Sequence, residues 1–211
     1  MRREWWGVDV AYREARERQL ERREAVSKGE AEECLALLEH APVVTVGRRP
    51  IQDVPSREFL AARGIALERS ERGGLATYHG PGQLVAYTIV NVRERGIKVR
   101  CLVHALEEAC IRFLADHGVE AGRQAGAPGV WVGHQKIAAV GLHFSRGVSM
   151  HGLALNLAPN LDAYRWISPC GFEPAQITSL KQLTDQSVSS GDSAPKFWEL
   201  LEVCIEEAPC A

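Results

Sequence analysis

Residues 135 to 157 read Gln-Lys-Ile-Ala-Ala-Val-Gly-Leu-His-Phe-Ser-Arg-Gly-Val-Ser-Met-His-Gly-Leu-Ala-Leu-Asn-Leu. The apolar runs Lys136 to Phe144 and Val148 to Leu157 flank the turn residues Ser145 to Gly147, a pattern that predicts two strands of a hairpin. Val130 to Val132, set off by Gly133 and His134, supplies a third strand candidate. Together they predict an antiparallel meander.

Leu84 to Val92 reads as a further buried strand, and the basic connection from Arg93 leads to a helix over about Val99 to His117 that Gly118 stops. Cys34 to Leu38 and Val43 to Val46 suit buried strands joined by a turn at His40, Ala41 and Pro42. Ser56 caps a short helix through Ala62, and Gly64 closes it before the strand-like Ile65 to Glu68. Val10 to Ser27 mixes Arg, Glu, Ala and Leu, which predicts a solvated helix. Asp185 to Pro195, polar and rich in Ser, reads as a loop, and Lys196 to Glu207 as a closing helix. No internal repeat is apparent. The order predicts an α/β (α+β) protein, one domain over residues 1–211, with a mixed, largely antiparallel sheet flanked by helices.

A chain of 211 residues, 45% hydrophobic, can bury a substantial core. Its 25 basic and 27 acidic residues leave a net charge of -2, which points to neither nucleic acid nor an anionic membrane as partner. No apolar run is long enough to span a bilayer, and the N-terminus has no signal core, so a soluble, cytoplasmic protein is expected. The six cysteines form no Cys-x-x-Cys pair, and His79, His143 and His151 show no metal spacing. Disulfides and a metal are therefore weakly supported.

Arg72-Gly73-Gly74-Leu75-Ala76-Thr77-Tyr78-His79-Gly80-Pro81-Gly82-Gln83 concentrates glycines and hydrogen-bonding side chains, letting backbone approach a ligand closely. The spacing does not fit a dinucleotide fingerprint. The plainer reading is a turn feeding the strand at Leu84. Ser168-Pro169-Cys170-Gly171-Phe172 sets a thiol between Pro and Gly, where it can be exposed and aimed. A free thiol has a pKa of about 8.5 and needs a nearby cation or base to become a strong nucleophile. Lys136 opens an apolar run, either snorkelling from a strand end or aimed into a pocket, where it would favour a Cys170 thiolate. Ala139, Val140 and Gly141, with Gly152, Leu153 and Ala154, offer small residues for a narrow apolar slot. Gln176 to Leu180 reads as a polar connection or a lip of that site.

Taken in order, Arg72 to Gln83, Lys136 to Gly141, His151 to Asn156 and Pro169 to Gly171 resemble the octanoyltransferases of lipoate biosynthesis. The likeness runs from Leu37 through Leu180. It implies the fold of biotin and lipoate protein ligases and transfer of an octanoyl group from octanoyl-acyl carrier protein to a lysine of lipoyl domains. The acceptors it implies are 2-oxoacid dehydrogenases and glycine cleavage H protein, with no cofactor and no ATP. By resemblance, Cys170 is the acyl-carrying nucleophile and Lys136 its activating lysine, while Arg72 to His79, Ala139 to Gly141 and Gly152 to Ala154 bind the acyl substrate. An ATP-dependent lipoate or biotin ligase, a thioesterase and a non-catalytic acyl or carrier-protein binding module are the alternatives. Arg48, Arg49, Arg93, Arg95, Lys98 and Arg100 offer a docking rim for an acidic carrier, or a solvated basic face.

Overall fold

The computed structural model of the chain describes residues 1–49, 54–167 and 176–208. The N-terminal half runs β1 (Arg2–Val10), α1 (Tyr12–Ser27), β2 (Cys34–His40), β3 (Val43–Val46), α2 (Arg57–Ala61), β4 (Ala66–Arg69), β5 (Ala76–His79) and β6 (Gln83–Ile89). It continues through α3 (Val99–Asp116), β7 (Gly122–Gln124), β8 (Ala127–Val132), β9 (Gln135–Ser145) and β10 (Val148–Asn156). A 3-10 helix (Leu161–Trp166), α4 (Leu180–Thr184) and α5 (Ser190–Glu206) follow. The predicted meander is present as β8, β9 and β10, paired antiparallel.

Seven strands form one sheet in the order β1-β2-β6-β10-β9-β8-β7, antiparallel except where β1 lies parallel to β2. Its central strands are buried on both faces, so β2 reads as a continuous apolar run instead of an alternating one. Leu35 and Leu37 join Leu84 and Ala86 of β6 against α3 and α5, where Phe113 and Phe197 meet edge to face. Ala36 and Leu38 join Val85 and Tyr87 on the opposite face, under Ala15 of α1. The local stop signals also hold: Ser56 Oγ accepts the Phe59 N–H at 3.2 Å, and Gly118 follows α3 at φ 76°.

Several elements depart from the expectation. β2 and β3 are the expected buried strands joined by a turn, but they do not share the one sheet expected: β3 belongs to a separate three-stranded sheet of order β4-β3-β5, parallel to β4 and antiparallel to β5. β5 falls inside the glycine-rich motif, and β1 in a stretch too polar to read as a strand. Helix α1 is not merely solvated, since Tyr12, Ala15, Gln19 and Val26 are buried beneath it. Helix α5 begins within the expected loop because Ser189 caps it, accepting the Asp192 N–H at 3.1 Å, while Ala194 and Phe197 anchor it in the core. Cys34, Cys110 and Cys204 are buried free thiols, whereas Cys101 is disulfide-bonded, a bond that the cysteine spacing supported only weakly. Among the described residues no helix is long and apolar enough to cross a membrane.

Candidate functional site

Between the large sheet and the glycine-rich segment lies a cavity of about 50 Å³, partly open to solvent. Its floor follows from strand register. Gly152 stands opposite Gly141 and Ala154 opposite Ala139 across the β10–β9 ladder, while Tyr87 and Val85 flank them on β6. Paired residues put their side chains on the same face of a sheet, so facing pairs of glycine and alanine leave a trough where bulkier pairs would fill the space. Gly152 is also required by the backbone, because a Cβ there would lie 2.1 Å from the Ala86 carbonyl oxygen.

The glycine-rich segment forms the wall. Strand alternation in β5 turns Thr77 and His79 to the cavity. Ala76 and Tyr78 face a third apolar cluster with Val44, Leu60 and Tyr164. Arg72, Gly73 and Gly74 line the cavity, and Leu75 does not. Arg72 is buried and clamps the segment to β3, donating through Nη2 to the Thr45 carbonyl oxygen (2.7 Å) and Oγ1 (2.8 Å), and through Nη1 to the Gly73 carbonyl oxygen (3.1 Å). The motif's arginine is thus a structural fork for neutral oxygens as well as a cavity residue.

Neutral histidines surround this slot. Gln83 Nε2 donates to Asn156 Oδ1 (2.9 Å) and the Tyr78 carbonyl oxygen (3.2 Å), so its Oε1 accepts from His79 Nδ1 (2.6 Å) and leaves His79 Nε2 as the acceptor. Burial, then the nearby His40 and Arg72, hold His79 well below its ordinary pKa. His40 Nδ1 donates to the Val10 carbonyl oxygen (2.8 Å), and Nε2 accepts from Tyr87 Oη (2.6 Å). Burial lowers the His40 pKa to about 4. The cavity therefore meets uncharged imidazole and phenol groups that satisfy one another.

His151 is the strained member, at φ 65° in the middle of β10. Left-handed geometry in a non-glycine residue costs about 1–3 kcal/mol and persists where the surroundings over-determine it. Here the His151 N–H turns to Gln19 Oε1 of α1 (2.8 Å), and the Ser149 hydroxyl bridges to the Thr88 carbonyl oxygen (2.6 Å). Its ring lies 3.5 Å from Ser70 Oγ and 3.6 Å from Glu71 Oε2. Burial keeps His151 below its ordinary pKa, while hydrogen bonds from His151 and Arg16 hold Glu71 well below the usual carboxylate range.

Lys136 lies in a smaller adjoining recess that shares Thr77, Ala139 and Ala154 with the main cavity. Its side chain is buried, which rules out snorkelling, and Nζ stands 5.1 Å from the centre of the Trp131 ring. Gly129 makes room for it: a Cβ there would lie 2.5 Å from Lys136 Cε. The Ile177–Thr178 stretch docks beside it, with the Thr178 N–H donating to the Lys136 carbonyl oxygen at 3.0 Å. Cys170 lies outside the described residues. Ile167 and Ile177, on either side of that segment, belong to one apolar cluster with Tyr164, and Tyr164 and Ile177 line the Lys136 recess.

Tyr12, Val85 and Tyr87 also line the cavity but were not among the expected site residues. Period-2 alternation along β6 carries a signal for Val85 and Tyr87. Tyr12 has none, since it opens a charged helix and arrives by tertiary packing.

Residues 11–201 match the family described as the lipoyl protein ligase A/B catalytic domain. An octanoyltransferase of Alkaliphilus metalliredigens is 45% identical over 175 residues, covering 82% of this chain and 80% of its own. An octanoyltransferase of Nitratidesulfovibrio vulgaris is 42% identical over 200 residues, covering 94% and 88%. Among solved structures, a lipoate-protein ligase A bound with ATP superposes with a TM-score of 0.71 at 18% identity, covering 98% of this chain and 84% of that one. That last likeness concerns the fold alone.

Proposed function

Because this chain belongs to the lipoyl protein ligase A/B catalytic-domain family, we propose that it is an acyltransferase that moves an octanoyl group onto protein lysines in lipoylation. The donor in this reading is octanoyl-acyl carrier protein in the cytoplasm. The acceptors are lipoyl domains of 2-oxoacid dehydrogenases and the glycine cleavage H protein. The observation that carries the reading is a buried lysine in a recess that adjoins a slot floored by glycine and alanine. A hydrocarbon tail suits the trough over Ala139, Gly141, Gly152 and Ala154, which leaves its carbonyl at the Lys136 recess.

Cys170 thiolate attacks the donor thioester carbon, and the tetrahedral intermediate collapses as the carbon–sulfur bond to the carrier arm breaks. Lys136 ammonium supplies the proton that releases the arm as a thiol. The acceptor lysine amine then attacks the acyl-enzyme, Lys136 takes its proton, and the new amide forms as Cys170 leaves. A thioester is already activated, so this sequence needs no ATP.

Intact mass after incubation with octanoyl carrier protein tests the reading. An octanoyl adduct on Cys170 that passes to a lipoyl domain without ATP is expected, and transfer only upon ATP addition would overturn it in favour of a ligase. Replacing Lys136 by Ala tests the pair separately, because an unchanged acylation rate across pH would remove Lys136 from the mechanism.

A further inference from the structure

The tail of β3, the start of α2 and the end of β4 enclose an open cleft beside the acyl cavity, lined by Arg48, Arg49, Arg57 and Arg69. None of these guanidinium groups forms an ion pair among the described residues. Glu68, the acidic residue in the lining, is held by Arg13 at 3.2 Å. Four like charges gathered with no ion pair among the described residues repel one another, a cost relieved when an anion enters. Guanidinium groups present planar forks that match phosphate and carboxylate oxygens.

The cleft and the cavity share a wall. The Arg48 N–H donates to the Arg72 carbonyl oxygen (3.1 Å) and the Arg49 N–H to the Gly74 carbonyl oxygen (3.3 Å). Gly47 lets the two backbones meet, since a Cβ there would lie 2.4 Å from the Gly74 carbonyl oxygen. Gly73 and Gly74 line the acyl cavity on their other side. An anion in the cleft is thereby set across one thin segment of backbone from the acyl slot.

The other basic residues of the expected docking rim do not join this cleft. Arg95 is paired with Glu33, and Arg100 lines a separate groove with His104 and Arg123.

We propose that this arginine cleft is the docking site for the acidic, phosphate-bearing face of the donor carrier protein. The inference rests on the acyl-transfer reading. The donor carries its thioester on a phosphate-linked arm, so anion and acyl group arrive together, one in the cleft and the other in the slot. The acceptor offers a lysine cation at its reacting end, which a cluster of guanidinium groups would repel.

The test compares wild type with the double reversal Arg57→Glu/Arg69→Glu and the milder Arg49→Gln. Both reversed residues are exposed and outside the cavity lining, and a thermal melt checks that the variants fold. Binding of unacylated holo-carrier, which involves no chemistry, is expected to weaken by about tenfold or more in the double reversal, with a smaller loss in Arg49→Gln. The rate of octanoyl transfer from the carrier falls in step, while transfer from octanoyl-N-acetylcysteamine, which lacks phosphate and protein, stays within about twofold. Unchanged carrier binding, or equal losses with both donors, overturns the docking site. Failure of the reaction reading is seen separately, as wild type that binds the carrier yet accepts an octanoyl group from neither donor.

Discussion

The two faces of the seven-stranded sheet are built from adjacent residues of the same strands, yet they differ in almost every physical respect. Toward α3 and α5 the strands present Leu35, Leu37, Leu84 and Leu155, closed by Phe113 and Phe197. Toward α1 and the smaller sheet, β9 and β10 present facing pairs of glycine and alanine, with buried tyrosines and neutral histidines around them. The first face is filled and apolar. The second is kept open, polar at its margins, and includes a histidine held in left-handed geometry. One face supplies cohesion, and the other spends part of it on a preformed slot.

The comparison breaks first where the filled face is hollowed. Phe197→Ala removes a fully buried ring packed against Phe113 and should cost about 3–5 kcal/mol, read by urea unfolding. Folded protein that remains should keep its relative preference among acyl chains; a changed preference would mean that the faces are not independent.

Filling the open face should do the reverse. Ala139→Leu projects into the slot opposite Ala154, so stability should hold within about 1 kcal/mol while octanoyl transfer falls by about tenfold. Shorter acyl donors should suffer less. Equal losses for butanoyl and octanoyl thioesters would place the acyl chain elsewhere.

The smallest effect concerns pH. His40 is neutral in the fold, with its pKa lowered by burial to about 4. An unfolded histidine titrates near 6.5, so below that value the unfolded state binds a proton that the folded state refuses. Stability should therefore fall as pH drops from about 6.5 toward 4, by up to about 1.4 kcal/mol per pH unit for each such histidine. The lowered Glu71 carboxylate adds its loss only at lower pH, as the unfolded carboxylate begins to protonate. Urea unfolding at pH 7, 6 and 5 should show the slope in wild type and a shallower one in His40→Gln. Identical slopes would remove His40 as a contributor.

Much of the fold was legible because its signals are local. The turns at Gly133–His134 and Ser145–Gly147, the Ser56 cap and the Gly118 stop each act within a few residues, and they placed the meander, α2 and the end of α3. Strand β1 was not legible. Its Arg and Glu residues lie on an edge strand, Gly7 and Asp9 adopt positive φ, and the register to β2 shifts at Gly7. Its parallel partner is supplied from beyond α1, where no local pattern reaches.

The candidate site divides the same way. Sequence alone marked the glycine-rich segment, Lys136 and the small residues of β9 and β10, because ligand chemistry restricts residue types locally. Only the tertiary structure separated Thr77 and His79 from Ala76 and Tyr78, and turned Arg72 into a clamp on Thr45. It alone brought Tyr12 to the cavity, set Gln19 against the His151 N–H, and gathered Arg48, Arg49, Arg57 and Arg69 into one cleft. Hydrogen bonds and charges act through space, and a linear pattern records which groups exist but not which of them the folded sheets set within a few ångströms of one another.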